Sequence, residues 1–147
     1  MELRIKKTHP GAIVPTRQKP ADSGLDLHAL LPEGSTWIGA GERRRIRTGI
    51  AIELPPPDPG GFEAQVRPRS GLADNAGIQT VLGTIDNGYR GEIEVILFNL
   101  SYQGYRVSDG DRIAQLVVVP VVYPTVVEVE ELSGSERGDS GFGSTGV

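Results

Sequence analysis

The chain has 147 residues, of which 37% are hydrophobic, with no cysteine and a formal net charge of −4. That is one domain's worth, able to bury roughly 68–70% of its unfolded surface; it excludes a disulfide framework, a thiolate site and, for want of a strong basic face, stable nucleic-acid binding. The N-terminal "MELRIKKTHPGAIVPT" has no continuous apolar core and no stretch approaches a membrane span, so a cytoplasmic protein without membrane attachment is expected.

Strand-like runs dominate the chain. "LDLHAL" (25–30) is the first and "RIRTGIAIEL" (45–54) the second. The basic cluster "ERRRIR" (42–47) alternates with strand positions and reads as a solvated strand face or a subunit contact. "LPPPDPGG" (54–61) is a stiff turn, and "FEAQVRP" (62–68) is the next strand. "SGLADNAG" (70–77) is the one helix candidate, with Ser70 as N-cap and Gly77 just past the C-terminus. "GTIDNGYRGEIEV" (83–95) reads as a β-hairpin, with Asn87-Gly88 in a type I′ turn that needs φ > 0 at both central residues. "EIEVILFNL" (92–100), "RIAQLVVVPVV" (112–122) and "TVVEVEEL" (125–132) complete the set. Short strands separated by turn residues, without alternating helices, predict an all-β sandwich, jelly roll or barrel. The β domain spans 1–132. Beyond it, 133–147 is Gly/Ser-rich and predicts a flexible tail.

Several residues exceed what the turns and strands require. Asp86, Tyr89 and Arg90 place a carboxylate, a phenol and a guanidinium on one hairpin tip. In "RPRSGLADNAG" (67–77), Arg69, Ser70 and Gly71 open the helix, where backbone N–H groups and a guanidinium suit a phosphate as well as a plain capped helix. Gln115 is an amide inside an apolar strand and needs partners. The tail carries Arg137 and Phe142, although a merely disordered segment needs neither. "GFGSTG" is not a Walker loop, since the lysine and the following helix are missing. His9 and His28 suggest neither a catalytic triad nor a zinc site.

Five segments, in order, resemble the trimeric deoxyuridine triphosphatases: "ADSGLDLHA" (21–29), "RPRSGLA" (67–73), "GTIDNGYRGEI" (83–93), "GDRIAQL" (110–116) and "RGDSGFGSTG" (137–146). The resemblance implies a distorted jelly-roll or β-barrel subunit with one short helix, assembled as a homotrimer with shared sites. It implies hydrolysis of dUTP to dUMP and pyrophosphate, which limits uracil in DNA and supplies dUMP for thymidylate synthesis. Asp86 matches the carboxylate that activates the attacking water, and Tyr89 the ring beneath the deoxyribose that leaves no room for a 2′-hydroxyl. The backbone from Gly83, Thr84 and Ile85 across to Glu94 matches the uracil reader. Arg69, Ser70, Gly71 and Gln115 match the phosphate contacts, while Arg137 and Phe142 match the tail residues that close over phosphate and uracil. Magnesium is expected to ride on the triphosphate with no direct protein ligand, and Asp26 suits either its outer shell or a structural hydrogen bond. Many members carry asparagine six residues before the catalytic aspartate; here it is Thr80, counted with the substrate contacts.

Two other readings compete. A dCTP deaminase on the same fold carries a glutamate ten residues after the hairpin aspartate, where this chain has Ile96. A non-catalytic jelly-roll module acting through "RGD" (137–139) leaves Asp86, Tyr89 and Gln115 unexplained.

Overall fold

The computed structural model describes residues 2–56 and 60–139. In chain order the elements are β1 (Arg4–Lys7), β2 (Leu25–His28), β3 (Ser35–Ile38), β4 (Arg43–Arg47), β5 (Ile50–Glu53), β6 (Gly61–Arg67), α1 (Ser70–Ala76), β7 (Ile78–Thr80), β8 (Gly83–Ile85), β9 (Glu94–Asn99), β10 (Tyr105–Ser108) and β11 (Arg112–Val121). The fold is all-β with one short helix. No described helix is long and apolar enough to cross a membrane.

Four small antiparallel sheets enclose the core: β1-β5, β10-β3, β2-β11-β6-β8 and β4-β9-β7. Each strand supplies alternate side chains to the interior. Along β9, Val95, Leu97 and Asn99 are buried while Glu94 and Ile96 are exposed. Leu27, Ile38, Ile46, Ile50, Ile78, Ile93, Val107, Ile113 and Leu116 fill the centre beside Val95 and Leu97. The buried amide of Asn99 is hydrogen-bonded to the carbonyls of Ile38 (2.9 Å) and Gln103 (2.7 Å), as a desolvated polar group must be. β11 is central in its sheet, and a bulge between Arg112 and Ala114 lets the successive residues Ile113 and Ala114 both enter the core.

The run 45–54 is not one strand. It breaks at Thr48-Gly49, where Gly49 has φ 67°, and its halves join different sheets. A Cβ on Gly49 would stand 2.6 Å from the Ala12 Cβ, so the corner requires glycine on steric as well as dihedral grounds. The expected hairpin at 83–95 is also corrected. β8 pairs with β6, whereas β9 pairs with β4 and β7, so the two arms diverge into separate sheets. The Asp86–Tyr89 turn is closed by Tyr89 N–H donating to the Asp86 carbonyl (3.0 Å). Gly88 is not among the positive-φ glycines, so the turn is not type I′; with the arms diverging, no strand twist demands one.

The helix begins one residue away from expectation. Arg69, in an extended conformation, is the N-cap, no side chain caps the end, and Gly77 at φ 65° closes the C-terminus as predicted. The run 125–132 forms no strand and pairs with no sheet among the described residues, and Val126, Val127, Val129 and Leu132 stand exposed. β1, β3, β7 and β10 were not anticipated. They are three or four residues long, too short to declare a period.

Candidate active site

At one end of the β2-β11-β6-β8 sheet, three elements bring charge together. Asp26 on β2 is buried, and Arg69 follows the end of β6. The Arg69 Nε lies 3.2 Å from Asp26 Oδ1 and the Arg112 Nη1 3.2 Å from Oδ2, so one carboxylate orients two guanidiniums. Arg69 also donates to the Arg112 carbonyl (3.2 Å). This trio carries a net charge of about +1, which suits an anion.

Gln115 stands opposite Asp26 on one side and Arg67 on the other, and its Nε2 donates to the Pro68 carbonyl at 2.9 Å. Gly24 makes room for it: a Cβ there would lie 2.1 Å from the Gln115 Oε1. The first turn of α1 adds backbone donors. Leu72 and Ala73 N–H bond the Arg69 carbonyl, while those of Ser70 and Gly71 precede the intrahelical pattern and no side chain caps them. Arg69, Gly71, Asn75, Tyr105 and Arg112 line a cleft of about 460 Å³. Burial pushes the imidazole of His28, two residues along β2, below the usual range against the pull of Asp26. Burial, reinforced by Asp111, raises the Tyr105 phenol.

The loop after β8 forms a second centre. β8 is an edge strand, bonded to β6 on one side, so alternate backbone N–H and C=O groups of Gly83, Thr84 and Ile85 face outward. The turn beyond is fastened from several directions. The Asn87 Nδ2 donates to the carbonyls of Pro55 (2.8 Å) and Phe62 (3.3 Å), and Arg90 donates to those of Asn87 (2.6 Å) and Tyr89 (2.9 Å). The Tyr89 hydroxyl donates to the Glu92 carbonyl at 3.0 Å. The Asp86 carboxylate is exposed and, among the described residues, takes no hydrogen bond or ion pair.

Strand register separates the two centres within one chain. The β6–β8 ladder ends with Ile85 opposite Ala64, so Asp86 follows at the Glu63 end of β6, while Gln115 lies opposite Arg67. Glu63 and Arg67 are four residues apart, or about 13 Å of strand. β6 itself intervenes between β8 and β11. One chain therefore does not bring Asp86 to Arg69 and Gln115.

The remaining expected residues divide. Glu94 is exposed and paired with Arg45 at 3.3 Å. Thr80 is 1% exposed, and its hydroxyl donates to the Ile113 carbonyl at 3.0 Å; strand alternation turns it into the core, away from the Asp86 surface. Arg137 lies in the exposed 133–139 segment and engages in an interaction of its own. Phe142 lies outside the described residues.

Residues 11–146 match the dUTPase family model. The chain belongs to the dUTPase family. Among curated members it is 48% identical over 149 residues to the deoxyuridine 5′-triphosphate nucleotidohydrolase of Nautilia profundicola, covering 99% of each chain. It is 50% identical over 150 residues to that of a Hydrogenobaculum species, covering 100% of this chain and 99% of the relative. The dUTPase of Staphylococcus bacteriophage 80alpha, solved with dUpNHpp, superposes with a TM-score of 0.88 at 29% identity over 99% of both chains.

A magnesium ion belongs to the chemistry expected of a dUTPase. The described residues contain no group of three or more His, Cys, Asp or Glu able to hold one, and both Asp26 oxygens already face guanidiniums. The donor set fits an ion that arrives on the triphosphate and keeps its waters. Sequence reasoning missed Arg112 and the space-making Gly24. Arg112 sits in the fourth dUTPase segment beside Gln115, but its partner Asp26 is 86 residues away, and only the β2–β11 register joins them.

Proposed function

We propose that this dUTPase-family chain hydrolyses dUTP to dUMP and pyrophosphate. Water attacks the α-phosphorus: its oxygen forms the new bond, the bond to the bridging oxygen of the β-phosphate breaks, and the water's proton passes to Asp86. The observation that carries the reading is the exposed Asp86 carboxylate on a turn whose neighbours Asn87 and Tyr89 are both fastened. A positioned base of this kind is typically worth ~10²–10⁴-fold.

The outward backbone of Gly83, Thr84 and Ile85, with Glu94 across the loop, reads the uracil edge and approaches too closely for a 5-methyl group. Tyr89 underlies the deoxyribose. Arg69, the N–H groups of Ser70 and Gly71, and the Gln115 amide take the phosphates. Magnesium on the triphosphate neutralises charge developing on the phosphate oxygens, with Asp26 at most in its outer shell. Thr80 acts through packing, because its hydroxyl is engaged in the core.

The active assembly in this proposal is a homotrimer whose sites draw on all three subunits. The ~13 Å offset between Asp86 and Arg67 along β6 supports it, as does the exposed, unpaired 122–132 segment. The tail 133–147 closes over the substrate, Arg137 on phosphate and Phe142 on uracil. A cytoplasmic location is part of the proposal, supported by a substrate drawn from the soluble nucleotide pool. Incubation with dUTP, dCTP and UTP, followed for pyrophosphate and ammonia, tests the reaction. Pyrophosphate from dUTP alone is expected; ammonia from dCTP, or no product, would overturn it.

A further inference from the structure

The Glu92 carboxylate lies away from the phosphate cradle and has no part in the reaction as proposed above. Yet its side chain is only 18% exposed and is among the most heavily bonded in the molecule. It accepts from Arg47 Nε (3.1 Å) and Nη2 (2.8 Å), from Gly49 N–H (2.9 Å) and from the Thr8 hydroxyl (3.0 Å). The Arg47 guanidinium, followed by the Gly49 and Thr8 donors, holds the carboxyl below the usual carboxylate range despite partial burial.

These bonds pin one point of the loop to the β4–β5 corner. That corner is itself rigid: Gly49 is locked at positive φ against Ala12 and Leu30, and Thr8 N–H bonds the Gly49 carbonyl at 2.8 Å. On the next residue the Ile93 N–H donates to the Ile50 carbonyl (2.7 Å), and the Ile93 carbonyl accepts from the Thr48 hydroxyl (2.6 Å). The main chain at Glu92 is therefore among the best-anchored in the loop, and its carbonyl receives the Tyr89 hydroxyl. Gly91 leaves the phenol a path to it: a Cβ there would stand 2.3 Å from the Tyr89 oxygen. Tyr89 is otherwise 45% exposed.

We propose that Glu92 is a positioning residue for sugar selection: clamped by Arg47 and Gly49, it fixes the carbonyl that holds the Tyr89 phenol and so sets where the ring stands. The inference rests on the reading of Tyr89 as the surface beneath the deoxyribose. A ring held at its hydroxyl end cannot tilt aside for a 2′-hydroxyl; a ring freed at that end can.

The test is the ratio of kcat/KM for dUTP to that for UTP. Wild type and Tyr89→Ala come first. A ratio unaffected by Tyr89→Ala removes the ring from sugar selection and takes this inference with it. Given a collapse in Tyr89→Ala, Tyr89→Phe and Arg47→Met should each lower the ratio about 3–10-fold, the worth of one net hydrogen bond. Tyr89 and Arg47 are both exposed, and because Arg47→Met also weakens the Glu92 clamp, the ratio is read only on variants whose folding at the assay temperature is confirmed by circular dichroism. Arg47→Lys should restore part of the loss, and the double variant should fall little further than the larger single, because both act through one contact. Arg45→Met, which breaks the neighbouring pair with Glu94 on the same strand face, should leave the ratio unchanged. If Tyr89→Ala collapses selection while Arg47→Met and Tyr89→Phe keep it, Glu92 is a structural anchor only and the inference fails.

Discussion

Replacing Asp26 with asparagine tests the organisation of the phosphate cradle. The amide keeps the shape but removes the charge. Its oxygen can still accept from one guanidinium, while its NH₂ faces the other. A hydrogen bond to a charged group is worth about 1.5–3 kcal/mol net. The two halves differ, however: the Arg112 side chain is 42% exposed and that of Arg69 28%. Solvent screening brings the Arg112 hydrogen bond down to about 1 kcal/mol, and the less exposed Arg69 pair, held by charge without a hydrogen bond to the carboxylate, adds about 1 kcal/mol. The total loss is about 2 kcal/mol, or a fall in melting temperature of about 4–8 °C for a chain of this length. The assay is a pair of double-mutant cycles by urea unfolding at one fixed chain concentration: Asp26→Asn with Arg69→Met, and Asp26→Asn with Arg112→Met. Each coupling should be about 1 kcal/mol. Couplings both below about 0.3 kcal/mol would refute the account of Asp26 as the carboxylate that holds the pair.

Asp86→Asn should bind dUTP with a near-normal KM but lose about 10²–10⁴-fold in kcat, read by steady-state kinetics; near-wild-type turnover removes Asp86 as the base. Gly24→Ala should push Gln115 off the Pro68 carbonyl, costing about 1–3 kcal/mol of stability and raising KM; if unfolding and KM both stay unchanged, Gln115 is not held there. Glu92→Gln should lose stability in a pH-dependent way. The folded carboxyl lies below the unfolded value of 4.5, so its contribution is full above that value and fades as pH falls through the folded one. Urea midpoints of variant and wild type should converge in acid, and a gap independent of pH contradicts the clamp's charge. Asp86→Asn chains refolded together with chains ending at Leu132 should regain activity neither parent has; demonstrated mixed trimers that stay inactive would show that each tail serves its own chain.

The sequence carried the all-β class because Val, Ile and Leu recur between Gly, Pro and Asn punctuation. It carried α1 to within one residue because Gly77 marks the end unambiguously. Asn87-Gly88 misled: the dipeptide encodes a turn, but not which sheets the flanking strands enter. That choice is made by β6 capturing β8 and by β4 and β7 capturing β9. The same limit hid Arg112 and Gly24, whose partners are reached only through the register of β2 with β11. Asp86, Arg69 and Gln115 were legible as odd residues, but their separation along β6 was not. The strand expected at 125–132 has the right composition and lacks a partner, and β propensity by itself supplies no hydrogen bonds.

That unpartnered run has a consequence for the free chain. An extended segment with unsatisfied backbone and exposed valines is the kind of template on which identical strands stack. Val126 and Leu132 are each 90% exposed. Between and beside the apolar residues stand Glu128, Glu130 and Glu131, and Pro124 precedes them. Two such segments laid together in register would bring carboxylates against carboxylates at Glu128, Glu130 and Glu131, and the proline withholds one donor at the entry. The acidic residues thus act as gatekeepers against self-stacking in newly made chains. Exchanging them for neutral residues would turn the exposed segment into a seed for aggregation.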